Sequence, residues 1–265
     1  MGVTDMRVTI TPLQGALGAT VEGLDVDNLD AEIVEVLRDA WHKHLVLFFP
    51  KIDLSPAQQS HLASQFGSRL AATTETGDYR NAPSLADEGF PQILLLDTGL
   101  GHKPKVTANW HTDVTFSENP PIGSLFCMEI AAQSGGDTMW SNQYAALEKL
   151  SSPIRSMISG LQAAHGRPPL TQVANHPMVK VHPGTGKEVL FVNRGWTKSI
   201  PGLTTTESDH LLAMINETAE QPELQIRWKW SSGDAALWDN RCTMHYAVND
   251  YGTERRRARR ATIYN

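Results

Sequence analysis

The chain has 265 residues, 40% of them apolar, with a formal net charge of −6 and a sequence pI near 5.9. Such a length and apolar content suffice for a buried core in one domain spanning 1–265, and the acidic balance argues against a general nucleic-acid binder. No apolar run of about 18 residues predicts a membrane span, the N-terminus lacks the basic-then-apolar order of a signal peptide, so a cytoplasmic location is expected, and the two cysteines, Cys127 and Cys242, lack Cys-x-x-Cys spacing.

In chain order, residues 6 to 23 alternate loosely around Gly15, Gly18 and Gly23 and predict short strands. Asp30 is placed to cap a helix carrying Ile33, Leu37, Ala40 and Trp41, with His42 and His44 at its end. Leu45 to Phe49 then predicts a buried strand ended by Pro50. Ser55-Pro56 starts a second helix that stops near Gly67, and residues 68 to 91 are polar and turn-rich, as a surface loop would be. Gln92 to Asp97 is a further strand, followed by a loop containing Gly99, Gly101 and Pro104.

Trp110 to Phe116 also predicts a strand, and alternation puts His111 and Asp113 on one face of it. An imidazole and a carboxylate on one face form two corners of a metal site, and two His with one carboxylate suit non-haem Fe(II). A His-x-Asp pair taken alone is more often a satisfied surface pair. The best candidate for the third corner is His245, because an arginine-rich strand follows it and supplies anion binders.

Gly123 to Ile130 predicts an apolar strand, with Cys127 a small buried hydrophobe, and Gly135-Gly136 a turn before Asp137-Thr138-Met139-Trp140. Helices are expected over 142–150 and 153–163, then strands over Met178–Val181 and Glu188–Val192 around a turn that His182 packs against or caps. Thr204 and Glu207 form a capping box for a helix that ends by Pro222. Arg227 to Trp230, Ala235 to Trp238 and Arg256 to Ile263 complete the strands. The pattern is α+β, mainly β: a jelly-roll or cupin-like core with helices packed outside, although strand counting alone leaves other sandwiches open.

In the run Arg255 to Arg260, the strand period puts Arg256, Ala258, Arg260 and Thr262 on one face and Arg255, Arg257 and Arg259 on the other. If the first face lines the core, Arg256 and Arg260 are buried cations that need anionic partners.

Ile10 to Leu13, Leu45 to Phe49, Asn109 to Phe116, Gly135 to Trp140, His182-Pro183 through Asn193, Trp238 to Tyr246 and Arg256 to Ile263 together resemble the taurine dioxygenase-like (TauD/TfdA) family of Fe(II)/2-oxoglutarate-dependent dioxygenases. The resemblance covers nearly the whole chain and decides the fold in favour of a double-stranded β-helix. It implies Fe(II) on His111, Asp113 and His245, with 2-oxoglutarate and O2 as co-substrates. Thr138 and Arg256 would take the distal carboxylate of 2-oxoglutarate, and Arg260 the anionic head of a small organic substrate. Oxidative decarboxylation to succinate and CO2 would drive hydroxylation of a substrate C–H bond.

The remaining pocket positions differ from the taurine enzyme. Ala72, Glu75 and Thr107 stand where that enzyme reads an amino group, and Trp196 replaces a Phe, which points away from taurine towards a longer or more apolar anion. Sulfonates, alkyl sulfates and aryloxyalkanoates fit that description. The region near 165–178 departs from the family pattern, in which a long lid is expected: either the lid is shortened or part of it is absent from the numbered chain. Rival readings are a zinc hydrolase on the same three residues, which leaves Thr138 and Arg256 unexplained, and a non-catalytic anion binder; a halogenating enzyme is disfavoured because Asp113 is present. Neither nucleic acid nor membrane is expected as a partner, and a homo-oligomer is left open.

Overall fold

The computed structural model describes residues 3–5, 7–72, 83–100, 109–166 and 173–265. The expectations placed on Glu75, Gly101, Pro104 and Thr107, and on the segment 167–172, lie outside the described residues.

Strands β1 (Val3–Asp5), β2 (Val8–Pro12) and β3 (Ala19–Glu22) lead to helix α1 (Ala31–His44) and strand β4 (Val46–Phe49). Helix α2 (Pro56–Ser64) precedes β5 (Arg69–Leu70), β6 (Ser84–Leu85), β7 (Phe90–Asp97), β8 (Gly123–Ile130) and β9 (Thr138–Asn142). Helices α3 (Gln143–Lys149) and α4 (Ser152–Ile158) follow, then β10 (Gln162–Gly166), β11 (Val173–Pro177), β12 (Val179–Val181), β13 (Glu188–Leu190) and β14 (Thr197–Ser199). Helix α5 (Thr205–Ala219) leads into β15 (Gln225–Trp228), β16 (Ala235–Asp239), β17 (Thr243–Ala247) and β18 (Arg257–Tyr264).

A large sheet runs β1-β2-β3-β4-β16-β8-β18-β7-β6, with β5 on β18, and a smaller one runs β15-β9-β17. Between them lie Phe48, Phe126, Met128, Trp140, Trp230 and Trp238, the aromatic middle of a jelly roll. Helices α1 and α2 cover the outer face of the large sheet through Leu37, Trp41 and Leu62, while α3 and α5 close the small sheet through Ala146, Leu147 and Ile215. The architecture is the double-stranded β-helix, α+β and mainly β, with its helices outside.

Capping chemistry sets the helix starts. Asp30 accepts from Ile33 N, and both Ser55 with Gln58 and Thr204 with Glu207 form complete capping boxes. Leu45 closes α1 at φ 67°, which turns the chain directly into β4.

Several expectations are corrected. Trp110 to Phe116 is no strand: it makes one isolated bridge, His111 to His245, and then turns through Val114 at φ 56°. β-Branched and aromatic residues there satisfy burial within a turn rather than a ladder, since Trp110, Val114 and Phe116 are all buried. The helix expected over 153–163 ends at Ile158, because Gln162 to Gly166 pairs with both β11 and β14. Part of the loop expected over 68–91 is strand β5, strand β6 and the start of β7.

The two faces of the arginine run stay distinct, Arg260 meeting Asp113 and Arg259 meeting Glu129 and Leu54, but both are covered. Register slips between Arg257 and Ala258, and β18 lies between β7 and β8 with α2 behind it, so Arg259 is as buried as Arg260. Arg259 is held by Glu129 and the Leu54 carbonyl, Arg257 by Glu129, and Arg255 by Asp97 at 2.8 Å. Arg256 precedes the strand, its backbone N–H donating to Thr98 Oγ1.

Candidate active site

Two backbone hydrogen bonds build the centre. His111 N donates to His245 O at 3.0 Å and His245 N to His111 O at 2.7 Å, so the two residues sit directly opposite in an antiparallel pair. Their imidazoles project to the same side, with ring centroids 4.2 Å apart. The turn after His111 swings Asp113 into the same space, where its Oδ1 lies 3.8 Å from the Nε2 atoms of both histidines.

The turn is fixed by side chains. Asn240 accepts from Asp113 N through Oδ1 and donates through Nδ2 to the carbonyls of Asp113 and Pro121, and Thr112 Oγ1 donates to Thr243 O. His111 Nδ1 donates to the Asn109 carbonyl at 2.9 Å, which leaves Nε2 with its lone pair directed at the centre. Trp238 packs on His245 at 5.0 Å between centroids, and Trp196 stands edge-on to both His111 and Phe116.

Electrostatics favours the protonation states a metal ligand needs. Burial alone would raise the Asp113 carboxyl, but the Arg260 guanidinium and the two imidazoles outweigh it and hold it at about 2. Arg260 Nη1 reaches both carboxylate oxygens at 3.1 Å. Burial, with His111 and Arg260 nearby, pushes His245 down to about 3, so its ring is neutral at ordinary pH.

The three ligand atoms all lie within 4.8 Å of one another. Octahedral bonds of about 2.1 Å would set neighbouring donors about 3.0 Å apart, so a small inward adjustment seats an ion. Two neutral imidazoles and a carboxylate fit a divalent first-row metal and leave one side of it open.

Thr138 and Arg256 border the same aromatic patch. The Thr138 hydroxyl accepts from Trp230 Nε1 at 2.9 Å, Trp230 packs tilted against Phe126, and the Arg256 guanidinium lies 5.4 Å from the Phe126 ring centre and 6.0 Å from that of Tyr251. Arg256 is recessed from solvent, which lowers its pKa, and forms no ion pair among the described residues. Thr107 lies outside those residues.

Sequence reasoning missed Asn240, Trp230 and Tyr251. Asn240 carries no ligand chemistry of its own, and only the fold brings it back to the Asp113 turn. A second buried group, His182, Asp239 and Cys242, has its histidine already engaged: Nε2 donates to Asp239 at 3.0 Å and Nδ1 accepts from Gly184 N and Thr185 N. It caps the turn between β12 and β13.

Residues 9–262 match the model of the family described as "Taurine catabolism dioxygenase TauD, TfdA family". A relative from Pseudomonas putida, an alpha-ketoglutarate-dependent sulfate ester dioxygenase, is 33% identical over 97% of this chain and 90% of its own length. The crystal structure of a taurine dioxygenase from Burkholderia xenovorans superposes with a TM-score of 0.85 at 34% identity, covering 98% of this chain and 91% of that one. AAD-2, solved with Mn(II) and N-oxalylglycine, superposes at 0.80 with 26% identity over 97% of each chain. With the family model spanning residues 9–262 and these relatives matching over nine-tenths or more of both chains, the chain belongs to the TauD/TfdA family of alpha-ketoglutarate (2-oxoglutarate)-dependent dioxygenases.

Proposed function

We propose that the protein uses Fe(II), 2-oxoglutarate and O2 to hydroxylate a small organic anion, with the metal on His111, Asp113 and His245. The observation that carries the reading is Arg256, a recessed guanidinium with aromatic faces around it and no ion pair among the described residues. Asp137 attracts this cation only through space, with no ion-pair contact among the described residues, and an arriving carboxylate would offset the cost of recessing it. Its planar fork suits the distal carboxylate of 2-oxoglutarate. Thr138 supplies a further donor there, since its oxygen already accepts from Trp230 and its own proton is left to give.

When bound, the iron supplies the redox chemistry that couples decarboxylation of 2-oxoglutarate to C–H hydroxylation. The chain's own groups place the reactants. Arg260 offers positive charge beside the Asp113 carboxylate, and we assign to it the anionic head of the substrate. Trp196 and Phe116 form an apolar wall next to His111 that suits a hydrocarbon tail and excludes water.

The Pseudomonas putida relative acts on sulfate esters. An alkyl sulfate hydroxylated at the carbon bearing the ester oxygen collapses to an aldehyde and inorganic sulfate, with one oxygen atom of O2 in the new hydroxyl and the other in succinate. Hydrolysis by zinc on the same three residues needs no 2-oxoglutarate and gives Arg256 nothing to bind. Succinate release should be screened across alkyl sulfates, sulfonates, aryloxyalkanoates and neutral alcohols of equal chain length. Stimulation by anions alone supports the reading, and equal stimulation by the alcohols contradicts it.

A further inference from the structure

The segment that carries Asp113 has little regular structure to hold it. After the single bridge at His111, the chain makes a turn containing Val114 at φ 56°, a conformation that a β-branched residue rarely adopts without external restraint. Asn240 fixes the upstream side of that turn. The downstream side is fixed by two buried histidines from the sheet β11-β10-β14, which the metal chemistry does not use.

His176, on β11, points Nε2 at two carbonyl oxygens, Thr115 O at 2.8 Å and Ser117 O at 3.0 Å. Carbonyl oxygens only accept, so Nε2 carries the proton and donates to both. Nδ1 then accepts from Lys180 Nζ at 3.2 Å, which locks this tautomer. His165, on β10, places Nδ1 2.9 Å from Thr115 Oγ1, and Asn193 Nδ2 donates to the same hydroxyl at 3.2 Å. Thr115 is fully buried and only two residues from Asp113, so its main chain and side chain are both held by this sheet.

We propose that His176, together with His165, is a positioning residue for Asp113: the two histidines clamp the turn from the β11-β10-β14 sheet and so determine where the carboxylate stands relative to His111 and His245. A merely space-filling pair of rings would not need both Thr115 atoms and the Ser117 carbonyl as partners. The inference rests on the assignment of those three residues as metal ligands.

The test is equilibrium binding of Mn(II), followed by the EPR signal of the free ion, with no co-substrate present. His176→Phe keeps a ring against Phe191 but removes the donor, and His176→Gln can restore one. His176→Phe should bind Mn(II) about tenfold or more weakly, the usual scale for losing a group that orients a ligand, with His176→Gln closer to the parent. In the Fe(II) protein, His176→Phe should also form more succinate per hydroxylated product. Parent-like Mn(II) affinity and coupling in His176→Phe would overturn the clamp. If that variant does not fold, Thr115→Val, which keeps the volume, removes the hydroxyl that His165 meets and leaves the carbonyl that His176 binds, tests the His165 half of the clamp by the same two measurements, parent-like values again counting against it. Failure of the unsubstituted protein to bind Mn(II) would instead count against the ligand assignment itself.

Discussion

His111 and His245 exchange two backbone hydrogen bonds across one isolated bridge, and this pairing brings residues 134 positions apart (245 − 111) side by side. Because the bonds are between main chains, the bridge survives truncation of either ring. His245→Ala should therefore keep its circular dichroism spectrum while losing most metal binding and turnover. Near-normal metal stoichiometry in this variant, measured after dialysis against Fe(II) or Mn(II), would refute the assignment.

Asp113 differs from the histidines because it is also an ion-pair partner of Arg260, and both side chains are buried. Breaking a buried pair by removing one member costs about 3–5 kcal/mol. In metal-free protein, Asp113→Ala should lower the denaturation midpoint well below that of His111→Ala, since His111 makes its one described side-chain hydrogen bond to a carbonyl. Equal midpoints in chelator would contradict the pairing.

On the proposed role, Arg256→Ala would remove a charge-assisted contact to the distal carboxylate of 2-oxoglutarate, worth about 1.5–3 kcal/mol, so the co-substrate requirement should rise at least about tenfold. Arg256→Lys should restore little of it, because the ammonium lacks the planar fork. Thr138→Val should act in the same direction and also strand Trp230 Nε1. An unchanged 2-oxoglutarate dependence in Arg256→Ala would exclude its role.

Much of this site was legible in the sequence because its chemistry is carried by residue types with few other uses at such spacing. His111, Asp113 and His245 do converge, and capping residues Asp30, Ser55 and Thr204 marked three helix starts correctly. The Asp113 segment was misread as a strand because Val114, Thr115 and Phe116 have strand propensities that tertiary burial overrides. Arg259 was placed on the face opposite Arg260, as it is; its burial depends on α2 covering that side of β18, which no local pattern reveals. Asn240 and His176 meet main-chain groups, and His165 the Thr115 hydroxyl, all 50 or more residues away in sequence, and a one-dimensional pattern carries no trace of such contacts.

Burial drives His165 and His245 each down to about 3 from the ordinary imidazole value of 6.5. The unfolded chain therefore takes up these protons first as pH falls. In metal-free protein their contribution is intact above about pH 6.5 and is lost as the pH descends towards about 3, by up to about 1.4 kcal/mol per histidine per pH unit. Urea midpoints should decline between about pH 7 and pH 5, and His165→Gln should flatten the decline. A midpoint independent of pH over that range would show that these rings are not held neutral by burial.

The central claim is that metal, 2-oxoglutarate and an anionic substrate meet in one reaction. The most direct measurement is parallel quantification of succinate and inorganic sulfate from Fe(II)-loaded protein given 2-oxoglutarate, air and a medium-chain alkyl sulfate. The account predicts equal amounts of both, with no sulfate when either 2-oxoglutarate or O2 is withheld. Sulfate released without 2-oxoglutarate would contradict it, as would succinate formation that no member of the sulfate, sulfonate and aryloxyalkanoate panel increases.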